Sequence, residues 1–367
     1  MDKNSKIYVA GNRGLVGSAL VRSLKRHGYN NLVFTPHATH DLLRQDVVER
    51  FFDDERPEYV FQSAAHVGGI AANLKYRADF IYQNLMIETI IINCAYKFGS
   101  KKLLFLGSSC IYPKNPLQPI TEDALLTSEL EYTNEPYALS KIAGIKLCES
   151  YNLQYGTNFI SVMPTNLYGD NDNYNLETSH VLPAMIRKYY LAKCLFDNDF
   201  DAVKIDLNKR PVEGVNGDSS QTDILNILKK YGITRNSVEL WGDGSPLREF
   251  LHSDDLADAC VFLMQKVDFK DIMKYKFGID DYSCPYTEKE IRNTHINIGT
   301  GKDLTIKELA SIIAKVTDYK GTTLWNSDKP NGTPRKLLDV SMLEKYGFKY
   351  RIELEQGIEL SFKDYLK

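Results

Sequence analysis

The sequence predicts an α/β protein: a Rossmann-type, doubly wound parallel sheet with a smaller C-terminal lobe. Three observations carry that reading. A first strand pattern, Lys6-Ile7-Tyr8-Val9-Ala10, runs into Gly11-Asn12-Arg13-Gly14-Leu15-Val16-Gly17 and then into a helical pattern over 18–26. Short apolar runs and helical patterns then alternate through residue 170, as parallel strands joined by helical crossovers do. Finally, 367 residues exceed what one small core organises. The expected division is 1–170 for the sheet domain, with about 240–260 returning to it, and 171–367 mainly for the second lobe.

Composition excludes several classes of function. Hydrophobic content of 43% and charged content of 25% are those of an ordinary globular enzyme. A formal net charge of −3 gives no global field toward nucleic acid or membrane. No apolar run approaches 18 residues, and Met1 to Lys6 lead straight into a strand, so neither a span nor a signal peptide is expected, and the location is expected to be cytoplasmic. The six cysteines form no Cys-x-x-Cys pair and the seven histidines add no ligand spacing, so no metal site is expected. Five of the thiols read as small core or surface residues.

Taken in order, Gly-x-x-Gly-x-x-Gly between strand and helix is the context of a dinucleotide fingerprint. The glycines permit a tight turn and close approach to a pyrophosphate, and the helix N-terminus offers N–H groups. Gly11, Arg13, Gly14 and Gly17 are the candidate contacts. A second strand, Asn31-Leu32-Val33-Phe34, is followed by a loop over 37–41 with no acid at the strand end. An acid there favours a free 2′-hydroxyl, whereas a base accommodates a 2′-phosphate. With Arg13, His37 and His40 nearby, the reading favours NADP over NAD. Glu58-Tyr59-Val60-Phe61-Gln62-Ser63-Ala64-Ala65 is a strand whose small terminal residues let a cofactor pass. Amphipathic helices over 80–97 and 139–155 cover the sheet and offer a face to a partner subunit. Phe159-Ile160-Ser161-Val162-Met163 is a further strand, leading into Pro164-Thr165-Asn166-Leu167.

The chemistry gathers around Gly107-Ser108-Ser109-Cys110-Ile111-Tyr112-Pro113, which follows the apolar strand Lys102-Leu103-Leu104-Phe105-Leu106. Hydroxyls and a thiol thus stand at the carboxyl edge of the sheet, where ligands bind. Tyr137 and Lys141, at i and i+4, share one helix face. His180 precedes a helical pattern over 181–188. Thiol, imidazole, hydroxyl, and phenol beside ammonium are parts for proton transfer next to a carbonyl. From 197 to 237 the chain turns polar, with one helical pattern over 222–231, and reads as a surface insertion. Residues 268–292 read as loop. A strand at Ile296-Asn297-Ile298-Gly299 and a helix over 304–316 follow.

Together these residues resemble the extended short-chain dehydrogenase/reductases that act on nucleotide sugars, and within them the GDP-L-fucose synthase family. The likeness is nearly end to end and densest in 105–113, 133–151, 162–169, 179–184, 248–255 and 329–340. Gly-Ser-Ser-Cys-Ile-Tyr-Pro, Asn-Glu-Pro-Tyr-x-x-x-Lys and Ser-His-Val-x-Pro-Ala together are highly specific. The resemblance implies epimerisation at C3 and C5 and NADPH-dependent reduction at C4 of a GDP-4-keto-6-deoxy sugar, GDP-4-keto-6-deoxy-D-mannose to GDP-L-fucose. The alternative is C4 reduction of a GDP-4-keto-6-deoxy-heptose in bacterial capsule synthesis.

By position, Tyr137 resembles the proton donor to the carbonyl, Lys141 the group that lowers its pKa and holds the nicotinamide ribose, and Ser108 the donor to the reacting oxygen. Cys110 and His180 resemble the acid/base pair of epimerisation, their order left open. The implied cofactor contacts include Asp41, Leu42, Ala64, Ala65, Pro164, Asn166, Leu167 and His180 as well. Asn134, Lys188, Trp241, Arg248 and Lys336 fall where the family binds the GDP-sugar. A homodimer is implied. Three departures stand out: His37 replaces an arginine for the 2′-phosphate, and the polar stretches at 197–237 and 268–292 are long, either of them positioned to reshape the sugar pocket. A dehydratase is disfavoured, since Ser109-Cys110 stands where those enzymes carry an Asp-Glu pair.

Overall fold

The computed structural model describes residues 1–35, 41–329 and 331–367. Its first half runs β1 (Ile7–Ala10), α1 (Leu15–Arg26), β2 (Leu32–Val33), α2 (Gln45–Glu55), β3 (Tyr59–Gln62), α3 (Ile70–Lys75), α4 (Arg77–Lys97), β4 (Lys102–Leu106), α5 (Glu135–Tyr155) and β5 (Phe159–Pro164). The second half begins with β6 (Asn166–Tyr168), α6 (Val181–Phe196), α7 (Phe200–Lys209), α8 (Gln221–Lys230), β7 (Ser237–Trp241), β8 (Leu247–Arg248), β9 (Phe250–His252), α9 (Ser253–Lys266) and α10 (Phe269–Phe277). It ends with β10 (Ile296–Ile298), β11 (Leu304–Thr305), α11 (Ile306–Val316), β12 (Thr322–Asn326), β13 (Arg335–Lys336), α12 (Ser341–Tyr346) and α13 (Leu354–Leu366).

The six-stranded sheet has the order β10-β5-β4-β3-β1-β2, and every pairing in it is parallel. Its strands are buried on both faces, which is why β1, β4 and β5 read as unbroken apolar runs rather than alternating ones. Successive residues of β4 feed opposite cores. Leu104 and Leu106 meet α1 and α9 through Leu20, Leu24, Leu256 and Val261. Leu103 and Phe105 meet α2, α4 and α5 through Phe52, Ile91, Ile142 and Ile145. A polar seam adds to the first face, where Arg22 pairs with Asp254 at 2.7 Å and Arg26 with Asp258 at 2.8 Å. Strand order reverses between β1 and β3, so the crevice of the doubly wound fold opens at the ends of those two strands.

A second core gathers α6, α7, α8, α11 and α13 beneath the paired β7 and β12. Here the segment 197–237 departs from the expected surface insertion with one helix. It holds two helices, and Val203, Leu207, Ile224 and Leu228 are core residues. Their i, i+4 spacing forms a narrow apolar stripe, diluted in the sequence by Asp and Lys on the outer faces. Arg187 and Asp206, both fully withdrawn from solvent, join α6 to α7 at 2.8 Å. Residues 268–292 depart as well. They contain α10, opened by a capping box between Asp268 and Asp271, and build a satellite core of Phe269, Met273, Ile279 and Ile291.

A tight seam between helix and sheet lies at Gly144 of α5, where a Cβ would strike the Phe105 ring of β4. On an exposed helix face Gly→Ala stabilises by about 1 kcal/mol. Here Gly144→Ala is expected to lower stability by about 1–3 kcal/mol through overpacking, read as a fall in the denaturant midpoint. An unchanged or raised midpoint would show that the seam has slack.

Candidate active site

The crevice begins where β1 gives out. Gly11 has φ +79°, and a Cβ there would lie 2.8 Å from the Ala64 Cα at the end of β3. A Cβ on Gly17 would collide with the Gly11 carbonyl. Gly14 differs: it opens α1 without a side-chain cap, and the nearest protein atom to a Cβ there is 3.7 Å away. Two glycines are therefore required by the protein itself. The third faces open space at the start of a helix, as the cradle of a pyrophosphate does. Ala64 is buried against this loop and Ala65 follows it half-buried. Arg13 is exposed. Asp41 is exposed too, its carboxylate accepting from the Leu43 N–H at 3.0 Å, while Leu42 leans on the sheet core. His37 and His40 lie outside the described residues.

At the end of β4 the Ser108 hydroxyl accepts from the Cys110 N–H at 3.3 Å and caps a single 3-10 turn over Ser109–Ile111. That turn leaves Cys110 half-buried. The Asn134 side-chain amide, at the N-cap of α5, donates to the Cys110 sulfur at 3.2 Å. One turn along α5, Tyr137 lies near enough to Ser108 and to the Cys110 sulfur for both to act on its phenol. Hydroxyl, thiol, amide and phenol thus gather in one group. Behind it Phe80 meets the Tyr137 ring edge-on at 6.3 Å, and the His66 ring stands 4.5 Å from Phe80.

Lys141 sits below the phenol, its Nζ 5.7 Å from the Tyr137 ring centroid. The expected effect on Tyr137 is reversed. Burial pushes the phenol pKa above its ordinary value, the Cys110 and Glu88 charges add to the rise, and only the Ser108 hydrogen bond opposes it. The ammonium is instead engaged with Glu88 at 2.7 Å and the Leu106 carbonyl at 3.1 Å. Glu88, on α4, was not singled out in the sequence, where a single acid in Ile87-Glu88-Thr89-Ile90 looks like a solvated position. Burial raises its pKa to about 7, with Lys141 opposing.

His180 reaches this edge from the second lobe as the N-cap of α6. Its loop is latched to the segment between β3 and α3: the Gly69 N–H donates to the Thr178 carbonyl at 2.9 Å, and a Cβ on Gly69 would lie 2.8 Å from the Ser179 carbonyl. The ring is open to solvent on one side yet crowded by protein, which lowers its pKa below 6.5. Among the described residues no direct hydrogen bond joins it to Cys110 or Tyr137. The insertion buttresses this loop through Arg187 of α6, which donates to the Tyr174 carbonyl at 3.2 Å and is itself held by Asp206 of α7, and Leu176, Val215 and Tyr231 all pack against the one core. The stretch 268–292 does not border the pocket. It docks on Leu153, sixteen residues along α5 from Tyr137, or about 24 Å at 1.5 Å per residue.

Pro164 ends β5 beside β4, the Asn166 amide donates to the Glu249 carbonyl at 2.8 Å, and Leu167 packs under the sheet. In the second lobe Arg248 of β8 and Lys336 of β13 are register partners and face the same side. Glu249, also missed in the sequence, anchors them by accepting from the N–H groups of Thr300, Gly301 and Leu338. Trp241 ends β7 with 57% of its surface exposed and the Lys329 Nζ 5.6 Å from its ring. Lys188, two turns into α6, is half-buried with its Nζ donating to the Glu239 carbonyl at 3.1 Å, and desolvation lowers its pKa to about 8.

The family model for the NAD dependent epimerase/dehydratase family matches residues 7–206 and 212–277. GDP-L-fucose synthase 1 of Arabidopsis thaliana is 48% identical over 366 residues, covering 100% of this chain and 94% of its own. The chain belongs to this family, among the GDP-L-fucose synthases. GDP-L-fucose synthase of Escherichia coli strain K12 is 43% identical over 99% of this chain and 97% of its own. Among solved structures, a GDP-mannoheptose C4 reductase from Campylobacter jejuni with NADP bound is 41% identical. It covers 100% of this chain and 99% of that one, with a TM-score of 0.84.

The two kinds of glycine in the loop separate stability from affinity. Gly17→Ala is expected to lower the unfolding temperature of the unliganded protein by several degrees, because the Gly11 carbonyl must move. Gly14→Ala is expected to leave that temperature unchanged while weakening NADPH at least about tenfold in a fluorescence titration, since its new methyl would fill the cradle. Equal affinity in Gly14→Ala and wild type would place the pyrophosphate elsewhere.

Proposed function

We propose that this protein binds NADPH and a GDP-4-keto-6-deoxy sugar, inverts C3 and C5 and reduces C4, converting GDP-4-keto-6-deoxy-D-mannose to GDP-L-fucose. The observation that carries the reading is the Asn134 amide held on the Cys110 sulfur within the group formed with Ser108 and Tyr137. A thiol placed against a proton-donating phenol has no use in ketone reduction alone. Full-length similarity to GDP-L-fucose synthases supports the same substrate.

NADPH, cradled by Gly11 to Gly17 and Ala64 and held by Lys141, supplies the hydride that reduces C4. The chain's own residues do the rest. A 4-ketone makes the C3 and C5 hydrogens acidic, because the carbonyl oxygen takes up the charge as an enolate. Ser108 and Tyr137 donate to that oxygen, each well-placed donor being worth about 3 kcal/mol. His180, kept neutral by its crowded surroundings, accepts a proton and Cys110 returns one. Tyr137, its proton held firmly by burial, gives that proton to the C4 oxygen. Asn134 orients the thiol and the sugar, while Lys188, Arg248 and Lys336 meet the diphosphate and Trp241 the guanine. Residues 1–170, with the return at about 240–260, serve as the cofactor unit, a division supported by the packing of α9 on α1, while Trp241 and Arg248 at the edge of that return sit on strands paired with the second lobe. Exposed Tyr82 and Tyr96 on α4 and Leu139 and Tyr155 on α5 support a homodimer through these helices. Six unpaired cysteines support a cytoplasmic setting, and no described helix is long and apolar enough to cross a membrane.

A second reading is favoured by the likeness to the GDP-mannoheptose reductase: C4 reduction of a GDP-4-keto-6-deoxy-heptose in capsule synthesis, with or without epimerisation. Mass spectrometry of products from the hexose and heptose substrates with NADPH in D2O separates the two. Turnover of the hexose with deuterium at C3 and C5 is expected, and reduction of the heptose alone would replace the first reading by the second. Cys110→Ser and His180→Asn are each expected to cut exchange at C3 or C5 by at least about 100-fold while NADPH still binds. Untouched exchange in both would leave reduction as the sole activity.

The pH dependence of exchange follows from the lowered pKa of His180. A base must be unprotonated, so the rate falls as pH drops through the folded-state pKa. The acid limb is therefore expected below pH 6.5. A limb at or above 6.5 would assign the base to another group.

A further inference from the structure

We propose that Glu88 is a positioning residue for C4 reduction: its carboxylate pins the Lys141 ammonium beneath Tyr137. The proposal rests on the reading that Tyr137 and Lys141 act at C4. Glu88 lies on the inward face of α4 among Phe80, Asn84, Ile91 and Ile92. Its side chain is 1% exposed and that of Lys141 3%, and their charged atoms are 2.7 Å apart. Swapping such a pair for well-packed apolar residues is often neutral or stabilising, so the pair is poorly explained as a device for stability. Its geometry has a use, however. A lysine ammonium has three N–H donors. The Leu106 carbonyl accepts from one, and the Glu88 carboxylate stands against the same nitrogen as an ion pair, both on the protein side. That fixes the Nζ 5.7 Å from the centroid of the Tyr137 ring.

The charges around Glu88 are few. From α5 it faces Lys141, Tyr137 and Cys148, and from the turn after β4 Cys110 acts on the same phenol. The β3 end contributes His66, whose backbone is bound to Asn84 one turn earlier, and Gln62, which is neutral. On α3 Lys75 is exposed. On α2 Glu49 is engaged with Lys97, nine residues further along α4. Lys141 is thus the only cation in contact with Glu88 among the described residues. Removing the carboxylate charge eases proton loss from Tyr137, since Glu88 is one of the causes that raise its pKa. The phenol must be protonated to deliver its proton, so the basic limb of the reduction moves to lower pH.

The test is the pH profile of kcat for NADPH oxidation in Glu88→Gln, Glu88→Asp and Lys141→Met. Glu88→Gln is expected to shift the basic limb down by at least about one pH unit. At pH 7.5 its kcat should fall about tenfold while KM for the GDP-sugar stays within about threefold. Glu88→Asp keeps the charge but withdraws it by one methylene, so kcat should fall with the limb in place. Lys141→Met is expected to be inactive. Wild-type kcat and limb in Glu88→Gln, with Lys141→Met inactive, would overturn the proposal alone. Full activity in Lys141→Met would overturn the reading beneath it. Should Glu88→Gln fail to fold by circular dichroism, Glu88→Asp decides: a lowered kcat with an unmoved limb sustains the proposal, and a wild-type kcat ends it.

Discussion

Two opposite charges meeting where water does not reach is the constraint on which the candidate active-site end of this fold depends. Lys141 and Glu88 join α5 to α4 below the Tyr137 phenol, and removing one partner from such a pair typically costs about 3–5 kcal/mol. That cost makes the register of the two helices rigid. Once α5 is fixed, Asn134 at its first residue, Tyr137 one turn in, and Lys141 two turns in are all placed relative to the end of β4. Ser108 and Cys110 then need only one capped turn to meet them.

Much of this was legible in the amino-acid sequence, for physical reasons. Strands buried on both faces are unbroken apolar runs, so β1, β4 and β5 announce themselves. Two of the loop glycines, Gly11 and Gly17, are required by backbone collisions that no other residue relieves. Tyr137 and Lys141 share a face because the helix repeat says so. Other features were hidden. The stripes of α7 and α10 are narrow and lie among Lys and Asp, so their segments read as loop. Glu88 and Glu249 look like ordinary surface acids until tertiary packing surrounds them with donors. The sign of the shift at Tyr137 was misread for the same reason: the ammonium was visible at i+4, but its counter-charge and the surrounding burial belong to the folded molecule.

The two lobes divide their labour by kind of contact. The sheet edge offers short side chains and backbone, at hydrogen-bonding range of one another. The second lobe offers long cations on paired strands, Arg248 beside Lys336, with Glu249 bracing the turn behind them. His180 is the exception that links them. It belongs to α6 by sequence, but its loop is held to the segment between β3 and α3 through Gly69 and propped from behind by the core that contains α7 and α8. A change at the Gly69 latch therefore acts on the imidazole without touching it.

The appendage on the far end of α5 has a practical corollary. Four of the six thiols are enclosed in protein, Cys110 is partly covered, and Cys284 is exposed on that appendage. A bulky maleimide dye would be steered by access to Cys284, at the opposite end of α5 from Tyr137. The fold thus offers a ready attachment point for an optical reporter, set apart from the half-covered Cys110 sulfur.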